Sequence, residues 1–221
     1  MNRMTGRTII VGVTALILGV LPVLAAGGSS VPSADPADQA AEAYNRGLAS
    51  RDKAWKLEAQ AEASSDPKQR AKLEQKAQKE YSKAIRAFRS ATEADPAMHQ
   101  AFSSLGYVLR KSGRYEDSLE AYNQALELEP GYAEAIEYRA EAFLGLDRLD
   151  EAKEAYMLLF RDDRERASEL MTAMQRWVEA HQSDPGELDP SVVDSFSVWV
   201  RDRAEISGNT ARHESDTDRA W

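Results

Sequence analysis

The sequence predicts an all-α protein built from antiparallel helix pairs, and three observations support this fold class. Stretches rich in Ala, Leu, Glu, Lys and Arg fill the chain after residue 35, and these residue types favour helices. Six prolines in this region each follow an acidic residue, as in Asp66-Pro67, and such a pair is typical of a helix start. No stretch alternates apolar and polar residues with period two, so no strand is predicted.

A repeat of 34 residues subdivides the middle of the chain. The aromatic residues Phe88, Tyr122 and Tyr156 are separated by this interval. The same interval relates three further sets of positions, which are Ala84, Ser118 and Ala152; Ala91, Ala125 and Leu159; and Tyr81, Tyr115 and Leu149. A fixed interval of this length indicates a helix pair that is repeated along an axis and packs on its neighbours.

These helix pairs resemble the tetratricopeptide repeat (TPR) family. The better match is 99–132, which has Leu105-Gly106 on its first helix and ends at Pro130 after a small–aromatic–small pattern on its second. The next match, 133–166, keeps Ala140 and Tyr156 but lacks the Leu-Gly pair and the final proline. The resemblance implies a right-handed superhelix of antiparallel helix pairs, with about three repeats and a capping pair.

The first helix pair, 36–98, contains an insertion. When Gly47 is aligned with Gly106, 54–78 becomes an insertion of 25 residues at the turn between the two helices. Strong helix formers on both sides of Asp66-Pro67 predict that it lengthens both helices into a protruding coil arm, in which Trp55 would face Leu73 and Ala77. The alternative is a frayed, solvated turn.

Two segments follow the repeats. Residues 167–207 are predicted to form a C-terminal capping helix hairpin, because the terminal unit of a repeat array must present a polar outer face. Its tryptophans, Trp177 and Trp199, are expected to pack near each other. The last residues, 208–221, are polar and unpatterned and are predicted to be a disordered tail.

The N-terminus is predicted to direct export. Arg3 and Arg7 precede an apolar run that ends at Ala25-Ala26, which is the order of a secretory signal peptide over 1–26. Cleavage would leave 27–35 as a small-residue linker and place the protein in the periplasm or outside the cell. The alternative is an uncleaved membrane anchor, because about 18 to 20 apolar residues can span a bilayer.

Composition excludes several kinds of chemistry. The chain has no cysteine, which rules out disulfides, thiolate metal sites and a cysteine nucleophile, and its three histidines do not lie at metal-ligand spacing. The net charge of −9 argues against nucleic acid as a partner. We find no phosphate-binding loop and no nucleophile motif. The sequence therefore predicts a protein that is not an enzyme, with no cofactor and no metal.

The resemblance implies a concave groove, lined by the first helix of each pair, as the place where a partner binds. The implied groove positions are Gln100, Ser103, Tyr107 and Arg110 in one copy and Glu134, Glu137 and Glu141 in the next. The three glutamates share one helix face and would suit a basic or amphipathic segment of a partner protein. The alternative is an acidic face that is merely solvated, as most charged stripes are.

Two functions are consistent with these features. The first is an exported scaffold or adaptor whose groove binds a peptide or helix of a partner protein. The alternative is a structural component of the cell envelope that self-assembles through the coil arm or the end cap. In both, a membrane would be contacted only through an uncleaved N-terminal segment.

Overall fold

The computed structural model describes residues 35–218, and this part of the chain confirms the all-α prediction. The predicted signal peptide, 1–26, and residues 27–34 of the linker lie outside the described residues, so both stay predictions. Residues 35–218 contain eight helices and no strand, namely α1 (Pro36–Glu62), α2 (Pro67–Ala94), α3 (His99–Lys111), α4 (Tyr115–Leu128), α5 (Ala133–Leu144), α6 (Leu149–Asp162), α7 (Arg164–Ser183) and α8 (Pro190–Asp218).

Acid–proline pairs have two different roles in this fold. Three of them begin a helix as predicted, with the acid as N-cap or just before it: Asp35-Pro36, Asp66-Pro67 and Asp189-Pro190. The prediction is wrong for the other three, Asp95-Pro96, Glu129-Pro130 and Asp184-Pro185, which follow the last residue of a helix. There the acid is the C-cap in an extended conformation, which the following proline favours, and the ring blocks continuation of the helix.

Successive helices pack on one another along the whole described part of the chain. Each helix contacts the next, and among the first helices of the later pairs α5 contacts both α3 and α7. This arrangement is a stack of helix pairs, α1/α2, α3/α4, α5/α6 and α7/α8. Because α3, α5 and α7 lie side by side, they form one continuous face, which we call the groove.

The 34-residue interval marks the aromatic centre of each pair. Phe88, Tyr122 and Tyr156 are at most 1% exposed. The ring of Tyr122 lies so close to Gly106 that a Cβ atom there would be 2.6 Å from it, and Phe88 approaches Gly47 in the same way, to 2.5 Å. The first two pairs thus each contain the same kind of Gly–aromatic contact, which agrees with the alignment of Gly47 with Gly106.

The first pair is about twice as long as the next one. Helices α1 and α2 have 27 and 28 residues, whereas α3 and α4 have 13 and 14. A short turn over 63–66 joins α1 to α2, so the inserted residues continue both helices. The expected contact between Trp55 and Leu73 is wrong, because Ala54 and Ala61 occupy the buried face of α1 and turn Trp55 towards α3.

Aromatic side chains pack between α7 and α8, the two helices of the last pair. Trp177 contacts Phe196 edge to face with ring centroids 5.1 Å apart, and Phe196 lies 6.2 Å from Trp199. The two tryptophans therefore meet through Phe196. Helix α8 continues to Asp218, so residues 208–218 of the predicted disordered tail belong to a helix, and 219–221 lie outside the described residues.

Candidate functional site

A pocket of about 380 Å³ lies in the groove between α3, α5 and α7. Its lining is mostly charged or aromatic and consists of Tyr107, Arg110, Lys111, Glu137, Tyr138, Glu141, Glu165, Arg166, Glu169 and Arg176. A second pocket of about 370 Å³ adjoins it and shares four lining residues with it, Arg110, Lys111, Glu141 and Arg176. The groove is thus an open, polar surface with room for side chains of a bound segment.

Helix α3 places only part of its predicted set in this pocket. Tyr107 and Arg110 line it, as expected. Gln100 is exposed but is not among the lining residues. Ser103 is fully buried, so its prediction as a groove residue is wrong. Its small side chain lies inside the packing of α3, where no partner can reach it.

Helix α5 presents its three glutamates to the groove, but the protein's own arginines already bind them. Glu141 lies 2.6 Å from Arg110 of α3. Arg166 of α7 lies 2.7 Å from Glu137 and 3.6 Å from Glu134. Each of the three glutamates thus already has an arginine partner, and Glu137, only 3% exposed, is part of the packing.

An aromatic row crosses the groove from the coil arm to α5. The indole nitrogen of Trp55 donates a hydrogen bond of 2.8 Å to the Tyr107 hydroxyl, and the two rings meet edge to face at 5.7 Å. Tyr107 and Tyr138 follow with ring centroids 5.1 Å apart. The Arg110 guanidinium lies 5.3 Å from the Tyr107 ring and 5.4 Å from the Tyr138 ring. These contacts hold the row in place.

Burial changes the acid–base behaviour of the row and of the ion pairs. Desolvation raises the pKa of Tyr107 to about 12, and the hydrogen bond that its oxygen accepts from Trp55 opposes this rise. Desolvation also raises the pKa of Glu137 and outweighs the opposing effect of Arg166. Both pKa values are thus raised mainly because these side chains are packed away from water in the groove.

Several groove residues escaped the sequence analysis. Tyr138 falls between the implied groove positions of α5, and Trp55 belongs to the predicted coil arm. Arg166, Glu169 and Arg176 lie on α7, beyond the first helices of the two predicted repeats. The interval relates equivalent positions in successive pairs, whereas contacts between neighbouring first helices join positions that are not equivalent.

Over 35–218, no group of three or more His, Asp or Glu side chains is arranged to hold a metal ion. In the same range, every helix is too short or too polar to cross a bilayer.

Comparisons with known proteins point to one family. The model of the tetratricopeptide repeat family matches residues 68–133 and 103–167. The small glutamine-rich tetratricopeptide repeat-containing protein 2 of Mycosarcoma maydis is 37% identical over 51 residues, which is 23% of this chain and 14% of that protein. The DnaJ protein P58IPK homologue of Arabidopsis thaliana is 35% identical over 78 residues, covering 35% of this chain and 16% of that protein.

Two further comparisons are with a curated relative and with a solved structure. The peroxisomal targeting signal receptor of Kluyveromyces lactis is 32% identical over 81 residues, covering 37% of this chain and 14% of that protein. The chain thus spans less than a fifth of the length of these relatives. A solved structure, the first TPR of Spaghetti (RPAP3) bound to an HSP90 peptide, has a TM-score of 0.39 and 22% identity, and covers 57% of this chain and 96% of that chain.

Proposed function

Because the chain belongs to the tetratricopeptide repeat family, we propose that it is an exported scaffold whose groove binds a segment of a partner protein. The repeats support a role in protein–protein interaction. Members of this family are generally non-enzymatic scaffolds, and we assign no catalytic residue. The proposed partner is a peptide or helix, in keeping with the open shape of the pocket.

The observation that carries the proposal is the exposed end of the aromatic row. Trp55 is 40% exposed although it is a large apolar side chain, and it stands beside Tyr107 at the edge of the pocket. Tryptophan and tyrosine supply much of the binding energy in protein interfaces when a partner covers them. A partner segment that covers Trp55 would therefore be anchored there.

The charges that remain free in the pocket define the rest of the partner. Glu165 and Glu169, four residues apart on α7, line the pocket and form no ion pair within the described residues. Arg176, which also lines the pocket, likewise forms none in this part of the chain, so the unpaired groups are two carboxylates and one guanidinium. Unpaired carboxylates on α7 and an exposed indole beside Tyr107 of α3 favour a segment that carries a basic and an apolar residue. We therefore assign the basic-partner hypothesis to α7, because arginines already pair with the α5 glutamates.

We expect Trp55→Ala and the double change Glu165→Gln/Glu169→Gln to weaken partner binding. Peptides selected on the full chain from a displayed random library serve as probes, and affinity is measured by calorimetry. The double change should reduce affinity by up to about tenfold at low salt, since an exposed pair contributes 0.2–1 kcal/mol. The loss should shrink as salt rises, because screening acts over about 10 Å at 0.1 M.

The matched control is Glu116→Gln/Glu120→Gln. These glutamates are also exposed and four residues apart, but they lie on α4 outside the pocket. We expect this control to bind as tightly as the unmodified chain. Selected peptides that lose no affinity in either groove variant would contradict the groove as the binding surface.

Export is the second part of the proposal, and it rests on the N-terminal sequence. The basic start, the apolar run and Ala25-Ala26 favour cleavage by a signal peptidase. We expect the intact mass of the protein from its native host to lack the residues up to Ala25 or Ala26. A mass that includes Met1–Ala25 in a membrane fraction would indicate an anchor instead.

A further inference from the structure

The outward face of α2 carries a continuous row of basic side chains, which we call the α2 basic row. It consists of Lys68, Lys72, Lys76, Lys79, Lys83 and Arg86, all of them exposed. Their spacing of three or four residues keeps them on one face of the helix. At 1.5 Å per residue the row is about 27 Å long. The buried residues of α2, such as Ala77, Tyr81 and Phe88, lie on the opposite face.

The α2 basic row has almost no counter-charge. Lys83 lies 2.6 Å from Glu80, and the other five members form no ion pair within the described residues. Helix α2 as a whole has eight basic and three acidic residues, in a chain whose net charge is −9. The row is therefore a concentrated positive surface on an otherwise acidic protein.

Repulsion within the α2 basic row destabilises the protein when no ligand is bound. Like charges three or four residues apart on a helix repel each other, and acids at that spacing usually offset the effect. Only Glu80 does so here. A negatively charged ligand along the whole row would relieve the repulsion, so the row is better suited to a complex than to the free chain.

We propose that the α2 basic row docks the protein on an anionic lipid surface. A membrane plane can meet all six charges at once, because they lie along one helix that packs against α1 over its length. Each basic residue close to an anionic leaflet increases the partition coefficient about fivefold. The row contains no apolar side chain, so it lies on the headgroups without insertion into the hydrocarbon.

Other polyanions fit the row less well. Single-stranded nucleic acid draws affinity from bases that stack on aromatic side chains, and the row has none. An acidic protein would need apolar anchors at the centre of the interface, which the row also lacks. A lipid surface needs only charge. The row faces away from α1, so docking would leave the groove free to bind its own partner.

Lysine footprinting with vesicles tests the proposal on the full chain. Vesicles of phosphatidylcholine containing phosphatidylglycerol should protect Lys72, Lys76 and Lys79 from acetylation, as measured by mass spectrometry. Lys153 on α6 should react as before. Vesicles of phosphatidylcholine alone should protect none of these lysines. Footprinting reports on the row whether or not residues 1–26 are present.

A charge-removal series measures the strength of docking by vesicle co-sedimentation. The triple variant Lys72→Gln/Lys76→Gln/Lys79→Gln should partition about a hundredfold more weakly onto the anionic vesicles through this surface. The matched control removes three exposed arginines elsewhere, Arg114→Gln/Arg161→Gln/Arg201→Gln, and should change partitioning far less. Added salt should release the unmodified chain from the vesicles.

Three results would overturn the proposal. The first is lysine protection that does not depend on anionic lipid. The second is equal partitioning of the triple variant and its control. The third is equal or stronger protection by oligo(dT) or polyglutamate at the same concentration of negative charge, which would make the row a general polyanion site.

Discussion

Replacing Gly106 with valine should lower the free energy of unfolding by about 3 kcal/mol. A Cβ atom at this position would lie 2.6 Å from the ring of Tyr122, well inside van der Waals contact. The ring cannot move aside, because Tyr122 is fully buried. Either the ring leaves its preferred conformation or α3 and α4 separate, and both disturb the core of the second pair.

Gly47→Val should have a similar effect, since its Cβ would lie 2.5 Å from Phe88. The control is Gly131→Val, where the nearest atom is the Glu129 carboxylate at 3.8 Å. Urea unfolding monitored by helical circular dichroism measures all three. A Gly106→Val variant within about 0.5 kcal/mol of the control would mean that the close helix approach is not required.

The parts of the fold that could be predicted are those that recur. Phe88, Tyr122 and Tyr156 occupy one packing position in three pairs, so their interval reveals the repeat. Gly47 and Gly106 were recognisable for the same reason, since a close helix approach needs a small residue wherever it occurs. The long α1 and α2 followed from helix propensity on both sides of a single cap.

The groove was less predictable, because its contacts do not recur. Arg110 and Glu141 are 31 residues apart, and Arg166 and Glu137 are 29 apart, so neither spacing equals the period. Such pairs depend on which charged residue each first helix happens to carry. Acid–proline pairs were ambiguous on similar grounds, since one dipeptide can begin a helix or stop the preceding one.

Replacing Arg166 with methionine should destabilise the protein by about 3 kcal/mol or more at neutral pH. Arg166 is the cation nearest to Glu137, at 2.7 Å, and Glu137 is only 3% exposed. Methionine retains the apolar stem of the side chain but leaves the Glu137 carboxylate buried without a counter-charge. Removing one partner of a buried pair costs more than the pair contributes, because the remaining charge stays desolvated.

The stability that Arg166→Met loses should increase as pH rises. Burial already raises the pKa of Glu137, and the negative charges of Glu141 and Glu169 raise it further, while Arg166 lowers it. Without Arg166 the folded-state pKa must rise more. Between the unfolded-state pKa near 4.5 and the raised folded-state value, the folded protein binds more protons. Stability therefore falls as pH rises through this window and recovers as pH falls.

Urea unfolding at pH 7.5 and at pH 5 measures this dependence, and the double variant Arg166→Met/Glu137→Gln isolates its source. Glutamine has nearly the same shape as glutamate but no charge to desolvate. We expect the double variant to regain most of the stability that Arg166→Met loses at pH 7.5. The stability difference between the double variant and the unmodified protein should be nearly the same at pH 7.5 and at pH 5. The contrary result is that Arg166→Met is destabilised equally at both pH values and gains nothing from Glu137→Gln. It would show that Arg166 stabilises the protein through packing alone and that the buried charge of Glu137 has no effect on stability.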